Sequence, residues 1–242
     1  MTEFDRSLRM QPILVAHGTR SAHGVGTIAR LAEQVSARLG PTRTAFVDVL
    51  GPSPSEVLAD IDGPAVLIPA FLASGYHVRV DIPAHVDASG HSHVHLCDSL
   101  GPDPVLADVM GDRLVAAGWR PGDAVVLAAA GSSDSLALAD VGVAAAQLGH
   151  LLGTSVDVGY VATAQPAIAD VVSATRARTG RRVFIASYLL APGLFHGRLE
   201  TVGADGVAAP LGADPRIAEL IVARYQFLTS APCRCEDLVI GG

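Results

Sequence analysis

Pro12-Ile13-Leu14-Val15-Ala16-His17-Gly18 is a short, largely apolar run, with β-branched Ile13 and Val15, that closes on a histidine and a glycine. A run of this length, ended by a glycine turn, reads as a buried strand of a parallel sheet. The residues after it change period. Val25, Ile28, Leu31, Ala32, Val35 and Leu39 recur at helical spacing until Gly40-Pro41 stops them. Strand followed by amphipathic helix is the repeating unit of an α/β fold.

The unit recurs along the chain. Strands are expected at residues 44–49, 65–71 and 94–97, and helices at 53–61, 81–89 and 104–117. Gly118-Trp119-Arg120-Pro121-Gly122 interrupts the pattern, and the cycle then restarts. Strands follow at 123–130, 155–162, 182–190 and, weakly, 207–209; helices follow at 136–152, 167–178 and 215–227. The restart is an internal repeat. Ile13–Gly18 matches Val126–Gly131, Val66-Leu67-Ile68 matches Val183-Phe184-Ile185, and Gly101–Asp108 matches Gly212–Glu219, all in the same order. The expected architecture is two similar α/β halves, each a parallel sheet flanked by helices, facing each other across a central cleft. Residues 1–119 would form the N-terminal half, 120–230 a degenerate second copy, and 231–242 a flexible tail. A single doubly wound sheet is the alternative.

Composition narrows the function. The 242 residues are half hydrophobic and 17% charged, which suits a large core. All 17 basic residues are arginine. Without lysine there is no Schiff-base chemistry and no Walker A loop, and the Gly-rich turns at 18–26 and 131–135 complete no dinucleotide fingerprint, so no nucleotide is expected. A net charge of −7 argues against a nucleic-acid surface. No uninterrupted apolar run reaches about 18 residues, so no membrane span is expected, and the N-terminus lacks a secretory pattern. Three cysteines form no disulfide framework, in keeping with the cytoplasm. Monomer and homodimer both stay open.

Ligands of open parallel sheets sit beyond the carboxyl ends of the strands. His17 ends the first strand, Asp48 the second, and His77 follows the third in a loop containing Gly75. Two imidazoles and a carboxylate suit a divalent first-row metal, and equally suit proton abstraction near neutral pH. Taken singly, each residue could merely cap a loop or a helix. The second half is an internal control: Ala130 replaces His17, one of Tyr160, Val161 or Ala162 replaces Asp48, and only His77 has an apparent counterpart, His196. Residues needed only by the fold would be needed twice.

Three segments carry a family resemblance: Val15-Ala16-His17-Gly18-Thr19-Arg20, Ala45-Phe46-Val47-Asp48-Val49 with Pro52-Ser53, and Pro69–Pro83 around Gly75-Tyr76-His77. Through them the chain resembles the type II tetrapyrrole chelatases, the CbiX/SirB sirohydrochlorin chelatase family, in its long, two-half form. The resemblance implies insertion of a divalent metal into a sirohydrochlorin-type macrocycle, giving sirohaem with Fe²⁺ or a cobalamin precursor with Co²⁺. It implies that His17 and His77 handle the metal and accept protons, and that Asp48 stands where many relatives carry the longer Glu. The macrocycle's carboxylates call for local positive charge, for which Arg20, Arg79 and Arg198, with His196, are the candidates.

Other features are secondary. His91, His93 and His95, near His85, could share one face of an extended segment, either as a metal-gathering patch or as a solvent-facing edge. Some long-form relatives carry a C-terminal cysteine motif associated with an iron–sulfur centre. Here Cys233 and Cys235 fall short of the four ligands such a site needs, so no cluster is expected. Two other readings stand beside the chelatase: a non-catalytic metal or tetrapyrrole carrier, and a two-lobed small-ligand binding protein.

Overall fold

A computed structural model describes residues 10–230. Cys233 and Cys235, and the expected tail, lie outside the described residues. Two four-stranded parallel sheets are present, so the single-sheet alternative falls. The first contains β1 (Gln11–Ala16), β2 (Arg43–Phe46), β3 (Ala65–Pro69) and β4 (Val94–Leu96), in the order β2-β1-β3-β4. The second contains β5 (Ala124–Ala129), β6 (Val156–Tyr160), β7 (Val183–Tyr188) and β8 (Gly206–Val207), in the equivalent order β6-β5-β7-β8.

Eight α-helices connect the strands among the described residues: α1 (Ala22–Leu39), α2 (Pro54–Ala59), α3 (Ile82–Ser89), α4 (Pro104–Ala116), α5 (Ser135–Leu152), α6 (Ile168–Thr179), α7 (Leu194–Leu199) and α8 (Pro215–Ser230). Starts follow local chemistry. Ser53 and Glu56 form a reciprocal capping box on α2, and Asp103 and Asp134 cap α4 and α5. Helix α5 is long and apolar enough to cross a membrane by length and composition, yet Ala137, Val141, Ala144, Ala145 and Leu148 bury one face in the protein core.

Side chains alternate across the strands, and both faces are covered. Leu14 and Ile68 point toward the middle of the molecule, into one large core shared with Leu127 and Phe184 of the second sheet. Ile13, Val15 and Leu67 point the other way, onto α2 and α3 through Leu58 and Ile82. The shared core has a specific cause. The last helix of each half packs across: α4 lies on α5 and β7, and α8 lies on α1 and β3. Two arginines clasp this exchange reciprocally. Arg224 of α8 reaches Asp103 before α4 (2.9 Å), and Arg113 of α4 reaches Asp214 before α8 (3.4 Å). Such mutual contacts are those of a twofold dimer, here within one chain. The sequence boundary near residue 119 thus separates two repeats, while the packing crosses it.

The turn after each first strand is the same structure twice. Gly18 (φ +93°) and Gly131 (φ +99°) reverse the chain beneath the loop that follows the neighbouring strand. A Cβ would lie 2.0 Å from the Asp48 carbonyl oxygen at Gly18, and 1.9 Å from that of Ala162 at Gly131. The Asp48 amide donates to the His17 carbonyl, and the Ala162 amide to that of Ala130. Val49 (φ +68°) and Thr163 (φ +62°) follow in the left-handed region. The counterpart of Asp48 is therefore Ala162.

Three local expectations change. β2 ends at Phe46, so Asp48 lies in the loop beyond it. The loop expected around His77 is a single π-helical turn, His77–Asp81, running into α3. The segment around His196 is the short helix α7.

Replacing Gly131, in the half without the paired histidines, isolates the structural role of this turn. Gly131→Ala should destabilise the protein by about 1–3 kcal/mol or more, since it combines a strained φ with a backbone clash. An unchanged thermal midpoint would contradict the account.

Candidate active site

His17 and His77 meet. Their ring centroids are 4.5 Å apart and their planes cross at 83°, edge to face. Two features of the chain bring them together. His17 leaves β1, and the segment carrying His77 leaves β3, which is hydrogen-bonded to β1 with Val15 opposite Pro69. The π turn then presents the second ring: the Ile82 amide donates to the His77 carbonyl, five residues back. Such turns insert one residue into a helix and recur at functional sites. Counting from Leu67 and Ile185, which pair with equivalent residues of β1 and β5, Gly75 corresponds to Gly193. Between there and the buried anchors Ile82 and Leu199 the first half is one residue longer. The same count sets Phe195 against His77 and His196 against the buried Val78, which corrects the apparent match of the two histidines.

Each ring has one nitrogen committed. His77 Nδ1 lies 2.6 Å from Asp81 Oδ2, and His17 Nδ1 lies 3.3 Å from the Gly18 carbonyl. With acceptors at both Nδ1 atoms, the neutral rings carry their protons there and keep a lone pair on Nε2. Two Nε2 lone pairs on adjacent rings can share one cation and leave its other positions open. Among the described residues no group of three or more His, Cys, Asp or Glu side chains is arranged to hold a metal. A two-nitrogen grip suits an ion in transit.

Asp81 was not among the residues expected from sequence. Its signal was the i,i+4 spacing from His77, hidden because the helix was expected to begin at Asp81 itself. A carboxylate on the far nitrogen of a ligating histidine fixes ring orientation and raises ligand basicity.

Asp48 does not join the two rings. It is exposed in the adjoining loop, where Oδ1 accepts from the Val49 amide at 2.7 Å, and Val49 rather than Asp48 lines the cleft. The equivalent turn forms around Ala162 with the same backbone bonds, so the fold does not require the carboxylate.

The histidines stand in a cleft of about 1120 Å³ between the halves. One wall includes Thr19, Arg20, Phe71, Tyr76 and His77; the other includes Ser132, Ser133, Thr163, Leu194 and His196. This is at or above the roughly 300–1,000 Å³ of ordinary small-molecule pockets. Of the expected arginines only Arg20 is part of the lining, with His196 on the facing wall. Arg79 is ion-paired with Asp134 of the other half, and Arg198 lies over the Phe195 ring, 5.9 Å from its centroid. His196 Nε2 is 3.3 Å from the Ala208 carbonyl. At the cleft floor Tyr188 donates to the Leu72 carbonyl (2.7 Å), and burial pushes its pKa upward so that it stays protonated.

The other histidines stand apart. β4 begins only at Val94, so His91 and His93 precede the strand and the expected extended face does not form. His91 Nε2 is bonded to the Ile61 carbonyl (3.1 Å), and His85 Nδ1 to Ser55 Oγ (3.3 Å). Burial pushes the Cys97 thiol up to about 12, which leaves it an unreactive core side chain.

Asp81→Asn should keep the fold yet weaken Co²⁺ binding by about 10–100-fold, the usual cost of losing such a support. Calorimetric titration reads the affinity; wild-type binding in the variant would contradict the role given to Asp81.

Comparison with known proteins identifies the family and the fold. The CbiX family model matches residues 11–117 and again 124–227, once per half. Among solved structures, SirB from Bacillus subtilis with Fe³⁺ superposes with a TM-score of 0.78 at 21% identity, covering 91% of this chain and 96% of that one. The sirohydrochlorin chelatase SirB from Bacillus subtilis subspecies spizizenii, in complex with cobalt, gives 0.76 at 19% identity, covering 92% and 97%. CbiX, described as the terminal enzyme for biosynthesis of siroheme in denitrifying bacteria, gives 0.66 at 22% identity, covering 90% and 98%. No curated protein matches the sequence. With the family model matched across both repeats, the chain belongs to the CbiX family.

Proposed function

We propose that this protein is a sirohydrochlorin chelatase that inserts Fe²⁺ or Co²⁺ into the macrocycle, with His17 and His77 as the groups that pass the metal. The observation that carries the reading is the edge-to-face contact of these two imidazoles at 4.5 Å inside a cleft of about 1120 Å³. Family membership and the iron- and cobalt-bound SirB structures support it. The work would take place in the cytoplasm, where thiols such as Cys97 stay reduced.

Metal and macrocycle are both substrates, and the reaction balances without redox change. M²⁺ enters, two pyrrole N–H protons leave, and the metallated ring forms. Nε2 of His17 and His77 first ligate the ion. As macrocycle nitrogens replace them, each freed Nε2 can take a departing proton and pass it to water. Neutral imidazole suits both tasks near pH 7. Asp81 holds the His77 ring at the angle that makes this exchange possible. Asp48 contributes negative charge beside His17, offsetting that of the incoming metal. That role accounts for a carboxylate where the second half does without one. The cleft walls hold the ring over the histidines, and positioning of this kind supplies much of the rate. Arg20 meets a peripheral carboxylate. Arg198 and His196 would act from the opposite wall, with smaller effects.

Anaerobic incubation of the protein with sirohydrochlorin and Fe²⁺ or Co²⁺ should convert the absorption spectrum faster than the metal and macrocycle alone. His17→Ala and His77→Ala should each lower turnover by about 100-fold or more, the scale of lost proton transfer, with the fold intact. Asp48→Ala should slow insertion more than it weakens macrocycle binding. Full activity in both histidine variants would end the assignment, and binding without acceleration would make the protein a carrier.

A further inference from the structure

We infer that the Arg79–Asp134 ion pair is a latch across the cleft mouth, opened when Arg79 leaves Asp134 for a side-chain carboxylate of the incoming macrocycle. The inference rests on the proposed tetrapyrrole site and adds how that site admits and selects its substrate.

Among the described residues, three hydrogen bonds tie the segment that carries His77 to the second half, and they grade from buried to exposed. Tyr188 to the Leu72 carbonyl is the innermost, with Tyr188 3% exposed. Next, the Ser74 amide donates to Asp140 Oδ2 at 2.8 Å. Arg79 to Asp134 is the outermost, and the Arg79 side chain is 40% exposed. The inner ties and the exchanged helices α4 and α8 hold the halves together. Opening is thereby confined to the rim.

The pair sits where a rim should open. Arg79 is two residues beyond His77, and Asp134 follows Ser132 and Ser133 of the facing wall. Beside them Gly75 faces the same element: a Cβ there would just reach ordinary contact, 3.4 Å from Ala137 Cβ and 3.8 Å from Ser132 Oγ. The first wall thus approaches the second closely, next to the metal-handling ring.

Release is asymmetric, which is what an exchange needs. Asp134 is held on its own half whether or not Arg79 is present. Its Oδ1 accepts from the Leu136 amide (3.0 Å), its own amide donates to Ser132 Oγ (3.0 Å), and the N-terminus of the 18-residue helix α5 favours its charge. Arg79 has no such second anchor in its ion pair and sits on a flexible stem. Partly exposed ion pairs are weak and screened, so a carboxylate presented by a bound ring, which Arg79 can engage bidentately, outcompetes Asp134. A macrocycle without free carboxylates gives Arg79 no new partner and leaves the mouth shut.

The test uses Asp134→Asn, which keeps the capping oxygen and removes the charge, with Arg79→Gln and the double variant. In the free protein, amide hydrogens of residues 75–81 should exchange faster in Asp134→Asn than in wild type. Metal-free sirohydrochlorin, followed by its own fluorescence, should bind Asp134→Asn up to about fivefold more tightly, the fold-change that a partly exposed ion pair is worth. It should bind Arg79→Gln about tenfold more weakly, and the double variant should equal Arg79→Gln. Unchanged exchange, weaker binding to Asp134→Asn, or a benefit of Asp134→Asn that survives without Arg79 would each overturn the latch. Sirohydrochlorin that fails to bind wild type at all would overturn the proposed function and the latch with it. Binding that ignores Asp134 overturns the latch alone.

Discussion

The pairing of β1 with β3 is the constraint on which the site depends. Parallel strands in register, Leu14 against Ile68 and Val15 against Pro69, deliver two chain ends to the same edge about 5 Å apart. Both strands are buried on both faces, so neither can shift by a residue without exchanging the side chains it gives to the two cores. His17 needs only to follow β1. His77 must return to that edge from farther along the chain, and the π turn with the Asp81 carboxylate brings it there.

Duplication within the chain separates what the fold requires from what the chemistry requires. The second half repeats the sheet order, the positive-φ glycine, the left-handed residue after it and the helix cap. It dispenses with His17, Asp48 and the extra residue of the π turn. Thr163 adopts the backbone of Val49 with Ala162 before it, so no carboxylate is needed to build that loop. What the second half retains is a wall: hydroxyls at Ser132, Ser133 and Thr163, and the acid that engages Arg79.

The strand runs and the helical period were legible because burial on both faces writes continuous apolar runs and amphipathic spacing directly into the residues. The pairing of His17 with His77 was legible from strand ends and from the family resemblance. Other features left weaker traces. Helix exchange leaves no local signature, since Arg113 and Arg224 meet Asp214 and Asp103 only through tertiary packing. A π turn shifts the count by one residue, which hid Asp81 and made His196 look like the partner of His77. The ion pair of Arg79 with Asp134 left no trace, because sequence shows a charge without its partner across the cleft.

The most direct measurement is the coordination of Co²⁺ added to the free protein, read by X-ray absorption. Two imidazole nitrogens should appear in the metal's shell, one of them vanishing in His17→Ala and the other in His77→Ala. A shell with no histidine nitrogen, or one unchanged by either substitution, would contradict a metal shared between these two rings.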